Sequence, residues 1–203
     1  MQLIDSILDG LRNTSAPEAV AVVLGLAYSL LAVRRVRWCW VAGGVSSAIF
    51  VLLAWRAKLP MQSVLQAYYV GMAVYGFWHW SKEDGNAKAV STWPVRAHLV
   101  AAVVIVVVSA LLSRYLATET HAAWPFLDSL TTIGSLFATW LTAQVKLENW
   151  LYWLVFDAIS VFLFAAQGLM FAALLMLIYL VVAAFGFVSW SKSRRAAAPG
   201  EAA

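Results

Sequence analysis

The sequence predicts an all-α membrane protein with seven transmembrane helices, and three observations point there. The 203-residue chain is 63% hydrophobic and only 12% charged, whereas an ordinary soluble domain carries about 25% charged residues. Its mean hydropathy is +0.80. Its apolar residues come in long runs without period-two alternation, each about the length of helix that crosses ~30 Å of hydrocarbon. Because lipid offers backbone groups no hydrogen-bond partner, such runs must close their hydrogen bonds internally as helices.

The first element, MQLIDSILDGLRNT, sets Leu3, Ile4, Ile7, Leu8 and Leu11 at helical spacing with Asp5, Asp9 and Arg12 opposite. This predicts an amphipathic helix within residues 1–17 that lies in the membrane interface. It lacks the basic start and continuous apolar core of a signal peptide. Spans are expected at 17–33, 38–55, 61–80, 97–112, 124–143, 148–166 and 169–190. The closing stretch SKSRRAAAPGEAA reads as a basic stop and a disordered tail over 193–203.

Basic residues set the orientation. Alternate loops place Arg34, Arg35, Arg37, Lys82, Lys88, Arg96, Lys146, Lys192, Arg194 and Arg195 on one side, and only Arg12, Arg56, Lys58 and Arg114 on the other. The positive-inside rule therefore predicts an outside N-terminus and a cytoplasmic C-terminus, as an odd number of spans requires. The net charge of +4 belongs to helix ends rather than to a nucleic-acid surface.

A repeat runs through the chain. Shifted by 110 residues, YGFWHWSK (75–82) falls on FGFVSWSK (185–192), and WVAGGVSSAIFVLL (40–53) falls on WLYWLVFDAISVFL (150–163) without a gap. One constant offset leaves little room for chance. The chain divides into a three-helix unit at 18–82, a linker helix within 83–123 and a second three-helix unit at 124–192. A three-helix unit ends opposite its start, so the extra crossing makes the two units parallel, one of the two plans found in transporters with a central site. A repeat kept only for packing is the alternative.

The unequal positions are informative. Trp140 stands against Leu30, Gln144 against Arg34, Asn149 against Cys39, Trp153 against Gly43 and Asp157 against Ser47, while Gln62 and Gln66 stand against Ala172 and Met176. At 100° per residue, Trp150, Trp153 and Asp157 share one helical face, as do Gln62, Gln66 and Tyr69. Asp157 lies roughly 14 Å along its helix, near mid-bilayer. A carboxylate there costs at least ~2.5–3.5 kcal/mol and usually faces a water-filled path or a partner. No Lys or Arg occurs at matching depth, so the complement is expected in the cargo: aromatic walls and one carboxylate suit a flat cationic ring. Two alternatives stay open, a neutral Asp157 bonded to a nearby Ser or Thr, and Trp150 as an interfacial belt residue.

Catalysis finds little support. His79, His98 and His121 lie on separate elements near membrane edges, Cys39 is the single cysteine and excludes an internal disulfide, and no pair has metal-ligand spacing. No phosphate-binding loop is present. The expected protein is neither an enzyme nor a holder of metal or cofactor, and a purely structural protein remains the other class. Rocking of the two units would use Gly43, Gly44 and Gly71 as close-approach positions.

The run from Trp150 to Asp157, WLYWLVFD, resembles the W-x-x-W-x-x-x-D signature of the PnuC-type vitamin transporters, and TWLTAQVKLENW (139–150) and LIYLVVAAFGFVSWSK (177–192) are similar to that family too. The resemblance covers the whole transmembrane body. It implies a fold related to the SWEET sugar transporters, a homotrimer in the bacterial inner membrane, and facilitated diffusion of nicotinamide riboside, trapped afterwards by a separate cytoplasmic kinase on the way to NAD. Its signature implies a substrate site at Trp150, Trp153 and Asp157; the polar and aromatic residues singled out above, Asn149, Gln144, Trp140, Gln66 and Tyr69, complete the expected site, with Gln66, Gln144 and Asn149 facing the ribose. Thiamine, another flat cation, is the alternative cargo; riboflavin, neutral and larger, fits the charge less well.

Overall fold

The computed structural model describes residues 2–58, 60–81, 89–119 and 124–197. Lys82, Lys88, His121 and residues 198–203 lie outside them. Eight helices follow one another: α1 (Gln2–Asn13), α2 (Ala16–Val33), α3 (Cys39–Arg56), α4 (Pro60–Ser81), α5 (Val95–Glu119), α6 (Pro125–Ala143), α7 (Asn149–Ala166) and α8 (Met170–Ala197). Local chemistry sets their starts. Ser15 accepts the Glu18 N–H at 3.4 Å and Pro17 occupies the first turn of α2, while Pro125 opens α6.

Five helices, α2, α3, α5, α7 and α8, are long and apolar enough to cross a membrane. The chain is thus a multi-pass membrane protein. Helices α4 and α6 match them in length, but their Gln, Ser, Thr, Tyr and Trp lower the hydropathy. Two limits differ from the sequence reading. Helix α5 runs to Glu119 instead of 112, and α8 continues through Ala197 instead of ending at 190. The segment SRRAA is a fair helix former, and Arg194 and Arg195 complement the negative end of the helix dipole.

Helices α2, α3 and α4 pack as one triplet, and α6, α7 and α8 as another. The triplets meet through α2 against α8 and α4 against α6; α5 packs on α6, and α1 lies on α8, where Gly10 abuts Phe171. Subtracting 110 from the bounds of α7 returns those of α3. The turns agree as well. Arg35 (φ 56) and Val145 (φ 52) follow α2 and α6, and Lys58 (φ 58) and Gly168 (φ 77) follow α3 and α7. These left-handed residues let the chain reverse after each helix.

Glycine permits the tightest contacts. An added Cβ at Gly76 would meet the indole of Trp40 at 2.3 Å, and one at Gly186 that of Trp150 at 2.6 Å. Gly43 and Gly44 also allow close approach, against Tyr28 and Ala73, but Gly71 has nothing within 4 Å and plays no such part. At the end bearing Arg35 and Lys146, here called the basic end, four indoles form a buried chain. Trp40 meets Trp80 edge-on at 5.5 Å, Trp150 meets Trp190 at 5.4 Å, and Trp80 meets Trp190 at 6.5 Å.

The chain ahead of α5 straps onto the α6–α7 turn. Ser91 N–H donates to the Val145 carbonyl at 3.2 Å, Leu147 N–H to the Ser91 carbonyl at 2.9 Å and Lys146 Nζ to Ser91 Oγ at 2.9 Å. Trp93 N–H donates to Glu148 Oε1 at 3.0 Å, and His98 Nδ1 lies 3.1 Å from the Tyr152 hydroxyl.

Candidate functional site

Between the triplets lies a cavity of about 300 Å³, lined from all six of their helices. Its walls are mostly aromatic and aliphatic. Eight pairs of lining residues stand 110 positions apart: Ser29 and Thr139, Ala32 and Thr142, Trp40 and Trp150, Gly43 and Trp153, Ser47 and Asp157, Gln66 and Met176, Tyr69 and Tyr179, Ala73 and Ala183.

Asp157 is 7% exposed and lines the cavity. Among the described residues its carboxyl has no hydrogen-bond partner and no cationic side chain shares the lining. It stands within electrostatic range of the phenols of Tyr69 and Tyr179. The alternative of a Ser or Thr bond locking it into the packing is therefore not what the structure contains.

Of the eight expected site residues, five converge here: Trp150, Trp153, Asp157, Gln66 and Tyr69. Trp150 is 4% exposed, packed between Gly186 and Trp190 rather than placed in an interfacial belt. The other three stand elsewhere. Asn149, fully buried, accepts from Thr142 Oγ1 at 3.1 Å and donates to the Lys146 carbonyl at 2.6 Å. Since Trp153 Nε1 donates to that same Thr142 Oγ1 at 3.4 Å, Asn149 backs the cavity wall instead of facing the cavity. Gln144 follows the last turn of α6 and donates to the Tyr75 hydroxyl at 2.5 Å. Trp140 stacks on Phe137, meets Trp93 at 5.2 Å and borders a separate apolar groove between α5 and α6. Gln62 is exposed.

Sequence reasoning missed Tyr28, Trp40, Ser47, Thr139, Thr142 and Tyr179. The signal for half of them was present, because Trp40, Ser47 and Tyr179 are the 110-offset counterparts of Trp150, Asp157 and Tyr69. Divergent positions drew attention, whereas a site between two like halves also uses what they share. No group of three or more His, Cys, Asp and Glu able to hold a metal occurs among the described residues. The cavity offers a buried acid, aromatic faces and hydroxyls, which suit binding rather than bond-breaking.

Comparison with known proteins agrees. The chain is 28% identical to the riboflavin/roseoflavin transporter RibM of Streptomyces davaonensis over 190 residues, covering 90% of this chain and 88% of the relative. It is 25% identical to the nicotinamide riboside transporter PnuC of Escherichia coli over 205 residues, covering 88% and 86%. The crystal structure of the vitamin B3 transporter PnuC superimposes with a TM-score of 0.72 at 21% identity, covering 98% of this chain and 90% of that one, which establishes the shared fold. The profile of the family described as nicotinamide mononucleotide transporter matches residues 15–192, and the chain belongs to that family, the PnuC-type transporters.

Proposed function

We propose that the protein takes up nicotinamide riboside by facilitated diffusion, with a separate cytoplasmic kinase trapping the arriving riboside. One observation carries this reading: Asp157 presents an uncompensated carboxyl to an aromatic cavity, the complement of a flat cation. All seven long helices cross the bacterial inner membrane in this reading, with the N-terminus outside and the basic end cytoplasmic. The three-plus-one-plus-three parallel arrangement of SWEET-like proteins is supported by the matched bounds of α3 and α7 and by the eight lining pairs. Rocking of one triplet against the other moves the cavity's opening from side to side. The assembly is a homotrimer.

Trp150, Trp153 and Asp157 hold the ring, with Gln66 and Tyr69 beside it. Asn149 acts through Thr142 on Trp153, and Gln144 and Trp140 hold the second triplet in place. Riboflavin is the second reading, favoured by the 28% identity to RibM; thiamine remains the cationic alternative. Uptake of labelled nicotinamide riboside, thiamine and riboflavin by proteoliposomes decides among them. Nicotinamide riboside enters fastest, and Trp153→Ala and Asp157→Ala each abolish most of that uptake. Faster entry of either other vitamin replaces the first reading, and entry of none by folded protein removes transport of these vitamins altogether.

A further inference from the structure

Tyr69 and Tyr179 hold the same place in the two triplets, and both line the cavity. Their hydroxyls meet different surroundings. That of Tyr69 donates to Ser135 Oγ at 2.9 Å. The counterpart of Ser135 in the first triplet is Gly25, which has no side chain to offer. An added Cβ on Gly25 would lie 2.7 Å from the Tyr179 hydroxyl, so the phenol reaches into the space a serine would take. Among the described residues this hydroxyl has no hydrogen-bond partner, and Asp157 stands within electrostatic range of it. The hydroxyl stays accessible from the cavity, where a ligand hydroxyl can take the place of water and pair with it.

Resting on the reading of the cavity as a vitamin passage, we propose that Tyr179 is a specificity-determining residue that hydrogen-bonds a polyhydroxylated tail on the cargo. The cavity then selects flat rings that carry a ribose or ribityl chain over the same rings without one. The broken symmetry between Gly25 and Ser135 is what frees one tyrosine for the cargo while the other stays tied to the wall. Thiamine, whose arm ends in a single hydroxyl, is served less well than either a riboside or a flavin.

Two ligand pairs test this with the purified full-length protein: nicotinamide riboside against 1-methylnicotinamide, and riboflavin against lumiflavin. Each affinity is read by titration calorimetry, or by competition where a ligand is weak. Tyr179→Phe weakens the tailed member of the bound pair about three- to tenfold and leaves its tail-less ring within about twofold, which also shows that the variant is folded. Equal weakening of both members, or no change in either, overturns the assignment of Tyr179. If Tyr179→Phe does not fold, Gly25→Ser, which supplies the partner that Tyr69 already has, reads the same ratio with the same two outcomes. Failure of the wild-type protein to bind any of the four, or thiamine, defeats the vitamin reading itself, a result distinct from the loss of tail preference.

Discussion

Trp190 donates its indole N–H to the carbonyl oxygen of Val33 at 3.0 Å, joining α8 to the last turn of α2. Trp80 does the same for Ala143 at the end of α6, at 2.9 Å. The final carbonyls of a helix have no partner within it, so each indole satisfies an orphan acceptor while fastening one triplet to the other. Trp190→Phe leaves that acceptor buried and unpaired, and about 1–3 kcal/mol of stability is expected to go. Thermal unfolding in one fixed detergent shows the loss, and adding Trp80→Phe deepens it.

Asp157→Asn keeps the shape of the side chain and removes its charge. If the cargo is a cation, affinity falls roughly ten- to a hundredfold, the range for losing a charged partner in a dry site. If the cargo is riboflavin, affinity moves by less than about threefold. Titration of both ligands against the variant separates the two cargo readings in one experiment.

Glycine substitutions should sort by what their new methyl group meets. At Gly134 a Cβ would lie 1.9 Å from Phe156 Cζ, and at Gly186 it would lie 2.6 Å from the Trp150 ring. Gly134→Ala and Gly186→Ala each destabilise by about 1–3 kcal/mol, as overpacking does, and Gly186→Ala also displaces a wall of the cavity. Gly71→Ala, in open space, is neutral or stabilises by up to about 1 kcal/mol. Melting temperatures of the three variants check the order.

Gln144→Ala tests a residue that the sequence places at the substrate and the structure places on Tyr75. Vitamin affinity stays within about twofold, while stability drops by about 0.5–1.5 kcal/mol for the lost hydrogen bond. A tenfold loss of affinity with unchanged stability would return Gln144 to the binding surface.

Helix positions were legible because apolar run length is a strong signal in a membrane protein, and most limits fall within two residues of the expected ones. The end of α8 was not, because Arg194 and Arg195 read equally as a stop and as a favourable last helical turn. In the site, Trp150, Trp153 and Asp157 were readable from their shared helical face. Asn149 shows the limit of that reasoning: its polarity marks it as functional, but whether an amide looks into a cavity or backs its wall depends on its neighbours, here Thr142 and the Lys146 carbonyl. Trp140 follows the same logic, since a tryptophan serves an interhelical groove as well as a binding site.

The strap at Ser91 makes the two sides of the cavity unequal. Through Ser91 and Trp93 the chain entering α5 is fastened to the α6–α7 turn, and α5 itself packs on α6. In the rocking proposed above, α5 would therefore travel with the second triplet, and three helices would swing against four. A spectroscopic label on the exposed face of α5, at Val103 for example, paired with one on the exposed Val45 of α3, would record that swing as a change in a single distance. Two labels on α5 and α7 would hold a constant separation throughout.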